Sequence, residues 1–225
     1  MNKRALFTVS AISLVTTSMS FAIRGDVANA MSGAFHITNE QLGLVFSPAF
    51  WAFTIAWTVF SLGNSADVFL LLRARDLGLS VSAVVLSYAL YNTLYSGLSW
   101  PLGHLSDRVG KRRVLAVGLV VFAGVYAGFG LAGSGAAVWP LMAVYGVYIA
   151  ATDGVSKALV SDLSPAALRA TGQGAFTLAT GAAAVTASLV AGVLWQTVGP
   201  GAVFALGAGA ALLGLLTLAV TRGCT

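Results

Sequence analysis

Gly103-His104-Leu105-Ser106-Asp107-Arg108-Val109-Gly110-Lys111-Arg112-Arg113 is a dense charged stretch in a chain that has little charge elsewhere. It is flanked by two apolar runs, residues 81–102 and 114–132. Each run is about 20 residues long, the length that an α-helix needs to cross a bilayer. Charge confined to the link between such runs is how a polytopic membrane protein marks its topology. The stretch also has its own local physics. Gly103 permits close packing at a helix end, and Gly110 permits a turn. The Asp107 carboxylate is placed to accept hydrogen bonds from a neighbouring helix N-terminus and to offset its dipole. Arg108, Lys111, Arg112 and Arg113 anchor the loop on one membrane face.

Outward from this loop the pattern repeats. Apolar runs cover residues 5–23, 42–72, 137–156, 172–198 and 202–220, with Gly, Pro or charge between them. The reading is an all-α polytopic membrane bundle of about seven helices. The run 42–72 is long for one span, so it is either a tilted helix or a span with an amphipathic lead-in. Small residues recur at helical spacing, as at Gly124 and Gly128, and let backbones approach within lipid.

Composition agrees. Of 225 residues, 58% are hydrophobic and 8% charged, and the mean hydropathy is +0.88. Soluble domains carry about 25% charged residues, so this set cannot build a surface for water. The net charge of +5 does not indicate nucleic-acid binding, because the basic residues sit at the ends of apolar runs rather than on one face. Cys224 is the single cysteine, which leaves no intrachain disulfide and no cysteine metal cluster. No cofactor is expected.

Placing the 103–113 loop in the cytoplasm also puts Lys157, Arg169 and Arg222 inside. The hairpins near Gly133 and Pro200, which lack basic residues, then lie outside. The N-terminus conflicts with this placement. If both early runs span, Arg24 is inside while Lys3, Arg4, Arg73 and Arg75 are outside. The first run therefore spans, lies on the membrane, crosses in reverse, or is a signal peptide cut near Ser20-Phe21-Ala22.

Polar side chains within spans should face the bundle or a wet cavity. The second run carries Ser61, Asn64, Ser65 and Asp67. The third carries Tyr88, Tyr91, Asn92, Tyr95 and Ser99. The fifth carries Tyr145, Tyr148, Thr152, Asp153 and Ser156, and the sixth Gln173, Thr177 and Thr180. The fourth and seventh are nearly all apolar. The expectation is a cavity lined by the striped runs, with the plain ones facing lipid; the alternative is that the polar groups only join helices. Trp100, Trp139 and Trp195, near span ends, fit an interfacial belt.

The 103–113 stretch resembles the loop motif of the major facilitator superfamily, G-x-L-(S/A)-D-R-x-G-(R/K)-(R/K), found between the second and third helix of a six-helix half. Asp162-Leu163-Ser164-Pro165 with Leu168-Arg169-Ala170-Thr171-Gly172 resembles the family's inner loop between the fourth and fifth helix. Pro165 there suits the start of a helix that Asp162 helps to cap. From Trp57 onward, residues 57–225, the chain resembles a C-terminal six-helix half. Residues 1–56 resemble a first helix, a loop and the start of a second, which puts a join at Ala56-Trp57.

The resemblance implies a transporter that moves a small solute by alternating access, with the lipid bilayer and the solute as partners. The two halves of the family are parallel repeats, so a parallel homodimer or another half-transporter would complete the path. The implied cavity takes Asn64, Asp67, Tyr88, Tyr91, Asn92, Tyr148, Asp153 and Gln173. Asp153 and Lys157, one turn apart, form either a proton-carrying group with its counter-ion or a structural ion pair. The competing reading is a fused or truncated membrane protein that does not transport. An enzyme is not expected. His36 and His104 lie outside the span centres, Asp67 and Asp153 lack the glycine context of an intramembrane protease, and residues 202–220 hold no lysine for a retinal.

Overall fold

In the structure, a computed structural model, residues 47–220 are described. The first apolar run, its signal-peptide alternative, Arg222, Cys224 and most of the 1–56 segment lie outside them. Seven α-helices occur among the described residues: α1 (Pro48–Ser61), α2 (Val68–Asp76), α3 (Val81–Val109), α4 (Lys111–Leu131), α5 (Val138–Leu163), α6 (Arg169–Thr197) and α7 (Pro200–Val220). Two 3-10 turns, Gly135–Ala137 and Ala166–Leu168, lead into α5 and α6.

Helix α1 starts where the sequence allows it. The Ser47 hydroxyl accepts the Phe50 N–H at 3.3 Å, and Pro48 takes the first position, where its missing N–H costs nothing. Phe50, Phe53, Trp57 and Phe60 recur every three to four residues, and all are buried. Phe53 stacks on Phe176 of α6 at 5.8 Å, and Phe60 meets Phe122 of α4 edge-on at 4.9 Å. Ala56 and Trp57, where the sequence suggests a join, lie within this continuous helix.

The run 42–72 is not one helix. It breaks after Ser61 and resumes at Val68. Gly63 lies against Ala210 and the Gly207 backbone of α7, an approach that any side chain would prevent. The break is further held by the Ala66 N–H, which donates to the Ser188 hydroxyl of α6 at 3.2 Å.

The remaining helices follow their runs and extend past them into the charged ends. Helix α3 has 29 residues, about 44 Å at 1.5 Å per residue, and so outreaches a hydrocarbon core of about 30 Å. It ends at Gly110, whose φ of +99° is the left-handed turn expected of a glycine there. Helix α4 begins at the next residue. Helices α4, α6 and α7 and the stretch Gly135–Leu163 are long and apolar enough to cross a membrane; α1 is apolar but shorter. The protein is an all-α membrane helix bundle.

Helices α4 and α7, expected to face lipid, also pack extensively on protein. The most extensive pairings are α3 with α5, α4 with α7, and α4 with α5. In its most apolar stretch α4 is 44% buried, whereas α6 is only 17% buried. An all-apolar helix packs as readily on protein as on lipid tails, so a plain sequence does not decide which side it meets. Here Phe122 and Tyr126 of α4 stack at 4.0 Å, and Phe204 of α7 meets Phe129 at 5.7 Å. Trp195, expected in the belt, is half-buried and packs on Phe69 at 5.7 Å.

Candidate functional site

Two polar constellations join α3 to α5. The first is built around Asp67, the residue that precedes α2 at the helix break. Tyr91 of α3 donates its hydroxyl to Asp67 Oδ2 at 2.8 Å, and Tyr145 of α5 donates to Oδ1 at 2.6 Å. Both tyrosines are buried. Their rings meet each other at 5.5 Å, and Tyr148 extends the cluster from Tyr145 at 5.5 Å. Tyr88 packs edge-on against Tyr91 at 5.0 Å and is 41% exposed. Asp67 takes part in none of the ion pairs recorded among the described residues, which are Lys111 with Asp107, Lys111 with Asp162, and Lys157 with Asp153.

The second constellation is centred on Asp153. Lys157 donates to its Oδ1 at 2.7 Å, and the Tyr95 hydroxyl donates to Oδ2 at 3.1 Å. Both charged side chains are about half exposed. On α5, Tyr145 and Asp153 are two helical turns apart, about 12 Å of helix axis. Gln173 of α6 joins the second group by donating to the Lys157 carbonyl and, at 3.0 Å, to the Ser161 hydroxyl.

Other predicted lining residues stay apart from these clusters. Asn92 donates to the Tyr88 carbonyl of its own helix at 2.9 Å, and Asn64 is half-buried at the break. Thr152, Ser156, Ser99 and Thr180 likewise bond to carbonyls three or four residues back, the usual way a helix satisfies its hydroxyls. Sequence reasoning left Tyr145 and Tyr95 out of the site although they lie on the polar stripes. The missing signal was which carboxylate each one meets, and that depends on how α3 and α5 cross.

At the loop end, Lys111 bridges two elements. Its ammonium lies 2.6 Å from Asp162 at the end of α5 and 3.5 Å from Asp107. This corrects two expectations. Asp107 does not cap α4, which has no side-chain cap, and Asp162 does not cap α6, which has none either. Both carboxylates are drawn to the one ammonium between them, since an exposed carboxylate gains more from a charged donor than from a neutral N–H. Gly103 is not at a helix end. It lies within α3 with open space beside it, and it lines a cleft of about 210 Å³ with Tyr95, Ser99, Asp107, Lys111 and Asp153. A wider cleft of about 610 Å³ lies over the loop, lined by Arg108, Gly110, Lys111, Arg112 and Arg113. Among the described residues no His, Cys, Asp and Glu group is arranged to hold a metal.

The family model of the Major Facilitator Superfamily matches residues 6–223. The chain belongs to the Major Facilitator Superfamily. It is also 37% identical over 173 residues to an uncharacterised MFS-type transporter of Methanocaldococcus jannaschii, an alignment covering 74% of this chain and 43% of that relative. The chain thus spans less than half the length of the curated relative it matches. Superfamily membership makes this a multi-pass protein of a transporter family, and its helices form one half of the family's fold.

Proposed function

We infer that this chain forms one six-helix unit of a secondary transporter that moves a small solute by alternating access. The observation that carries this reading is the superfamily match along nearly the whole chain, joined to polar groups set between α3 and α5 rather than scattered. Residues 57–225 act as the C-terminal-type unit, with residues 1–56 as an N-terminal fragment. Asp67, Tyr88, Tyr91 and Tyr148 contribute one level of the solute cavity. Asp153, Gln173 and Lys157 contribute a second, nearer the loop. Asn64 and Asn92 complete the lining. The cell membrane is the site of action, and the 103–113 loop faces the cytoplasm.

The family's path runs between two such units, so a second one is required. A parallel second copy supplies it most simply, because the halves of this superfamily are related by an axis along the membrane normal. The coupling ion in this reading is a proton carried by Asp153, with Lys157 as its counter-ion when the carboxylate is charged. Native mass of the gently extracted protein, followed by uptake into proteoliposomes driven by a pH gradient, tests the whole. A dimer whose uptake is lost in Asp153→Asn supports it. A dimer whose Asp153→Asn variant keeps proton-driven uptake removes Asp153 from the coupling. A monomer with no uptake leaves the alternative reading, a non-transporting protein or a partner subunit for a different half, which the 43% coverage of the relative also accommodates.

A further inference from the structure

We propose that the basic cleft over the α3 and α4 turn binds the phosphate of an anionic lipid through Arg108, Arg112 and Arg113, with an acyl chain laid along the outer face of α4. The inference goes beyond the transport reading and does not depend on it.

The charges of the cleft are unevenly matched. Four cations line it, Arg108, Lys111, Arg112 and Arg113, against two carboxylates, Asp107 and Asp162. Both carboxylates are drawn to Lys111, at 3.5 and 2.6 Å. The three arginines are left over, and none of them takes part in an ion pair among the described residues. Arg113 reaches the Val109 carbonyl at 3.5 Å, the outer limit of a hydrogen bond, so most of its five N–H donors remain free. Three guanidiniums gathered beside a space of about 610 Å³ repel one another until an anion enters. Their planar forks match the oxygens of a phosphate, which each can hold through two parallel hydrogen bonds. A choline or ethanolamine headgroup would bring a further cation to a site that already has too many. A headgroup with net negative charge relieves it.

The position of the cleft favours a lipid over a free anion. Helix α4 has 21 residues, about 31 Å, close to the thickness of the hydrocarbon core. Its first turn, from Lys111 to Arg113, therefore stands at the level of the lipid phosphates, where basic pockets meet anionic headgroups. The outer face of α4 continues the site. Arg113, Val117, Val120, Gly124, Ala127 and Leu131 follow at spacings of three and four residues, and all are exposed. They form one stripe down the helix, opposite the side that packs on α5 and α7. Gly124 has open space beside it, which leaves a shallow notch in that stripe. An amphiphile with its phosphate at Arg113 places its chain on Val117 and Val120, whereas a free phosphate would use the cleft alone.

The test is native mass spectrometry of the full chain, freed of lipid in a mild detergent and titrated with phosphatidylglycerol or phosphatidylcholine. One phosphatidylglycerol per chain should be retained, and phosphatidylcholine should not. Removing one arginine is expected to weaken binding about fivefold, so Arg112→Gln with Arg113→Gln should weaken it about twentyfold. Arg113→Lys keeps the charge but loses the fork and should fall between the two. Arg169→Gln removes an exposed charge outside the cleft and should change nothing. Circular dichroism checks that each variant keeps its helices. Equal retention of the two lipids, or an equal loss in Arg169→Gln, would mean diffuse attraction and overturn the proposal. Displacement of phosphatidylglycerol by the same concentration of inorganic phosphate would make this a free-anion site, and displacement by an acidic peptide would assign it to a protein partner. Either result also overturns the lipid assignment.

Discussion

Tyr145 and Tyr95 perform the same local task, donating a hydroxyl to a carboxylate across the α3 and α5 interface, but their surroundings make them unequal. Tyr145 is buried and serves a carboxylate whose other partner is a single tyrosine. Tyr145→Phe leaves Oδ1 of Asp67 without that donor, a loss of about 1–3 kcal/mol. Tyr95 is partly exposed, and its Asp153 keeps Lys157 at 2.7 Å. Tyr95→Phe is therefore expected to cost less than about 1 kcal/mol. Thermal unfolding in detergent should order the two variants in that way, and equal losses would mean that Asp67 finds a replacement donor. Gly146 gives a sharper residue-scale test. A Cβ there would stand 2.6 Å from the Tyr91 carbonyl oxygen and 3.2 Å from its Cα, atoms of the facing backbone that cannot step aside. Gly146→Ala should destabilise by about 1–3 kcal/mol. Gly97→Ala, on the same α3 and α5 pair but with open space beside it, should be neutral.

Among the elements, α2 shows how a misplaced charge becomes a structural part. Arg73 and Arg75 count against the topology read from the sequence, since they lie on the face that should lack basic residues. Arg73 instead holds the Phe129 and Ala132 carbonyls at the end of α4, where a helix has acceptors to satisfy and a dipole that favours positive charge. Arg73→Met should free those carbonyls, cost about 1.5–3 kcal/mol, and speed amide hydrogen exchange in the turn after α4 while leaving the 103–113 loop unchanged. The existence of α3 to α7 was legible because apolar period, glycine and charge agree there, but the ends of α3 and α5 were not, since both helices run past their apolar stretches to Val109 and Leu163. The break in the first described span was less so. The Gly63-Asn64-Ser65 turn signal is in the sequence, but the apolar residues on both sides mask it, and only the approach of α7 to Gly63 makes the break necessary. The Asp67 site was half legible. Its carboxylate and Tyr91 stand out as polar groups in apolar runs, but Tyr145 becomes a partner only once α3 and α5 cross.

At the scale of the whole molecule, the proposed orientation is tested at one crossing. Helix α4 has Lys111, Arg112 and Arg113 at its start and Leu131 at its end, and its 21 residues extend about 31 Å, enough to span the hydrocarbon once. The turn after it, through Gly133 and Ser134, carries no charge. Basic residues are retained on the cytoplasmic side, so the proposed orientation has the α3 and α4 turn inside and the α4 and α5 turn outside. Lys111 ties the loop to Asp162, so the loop and the end of α5 lie on the same side, whichever it is. With Cys224 replaced by serine, a single cysteine at Val109 or at Ser134, both exposed, reports the arrangement without altering any charge. An impermeant maleimide added to intact cells should label Ser134→Cys at once and Val109→Cys only after the membrane is opened. Labelling of Val109→Cys from outside would invert the bundle. In that case the two arginines of α2 would be on the cytoplasmic face, and their hold on α4 would need no exception to the charge rule.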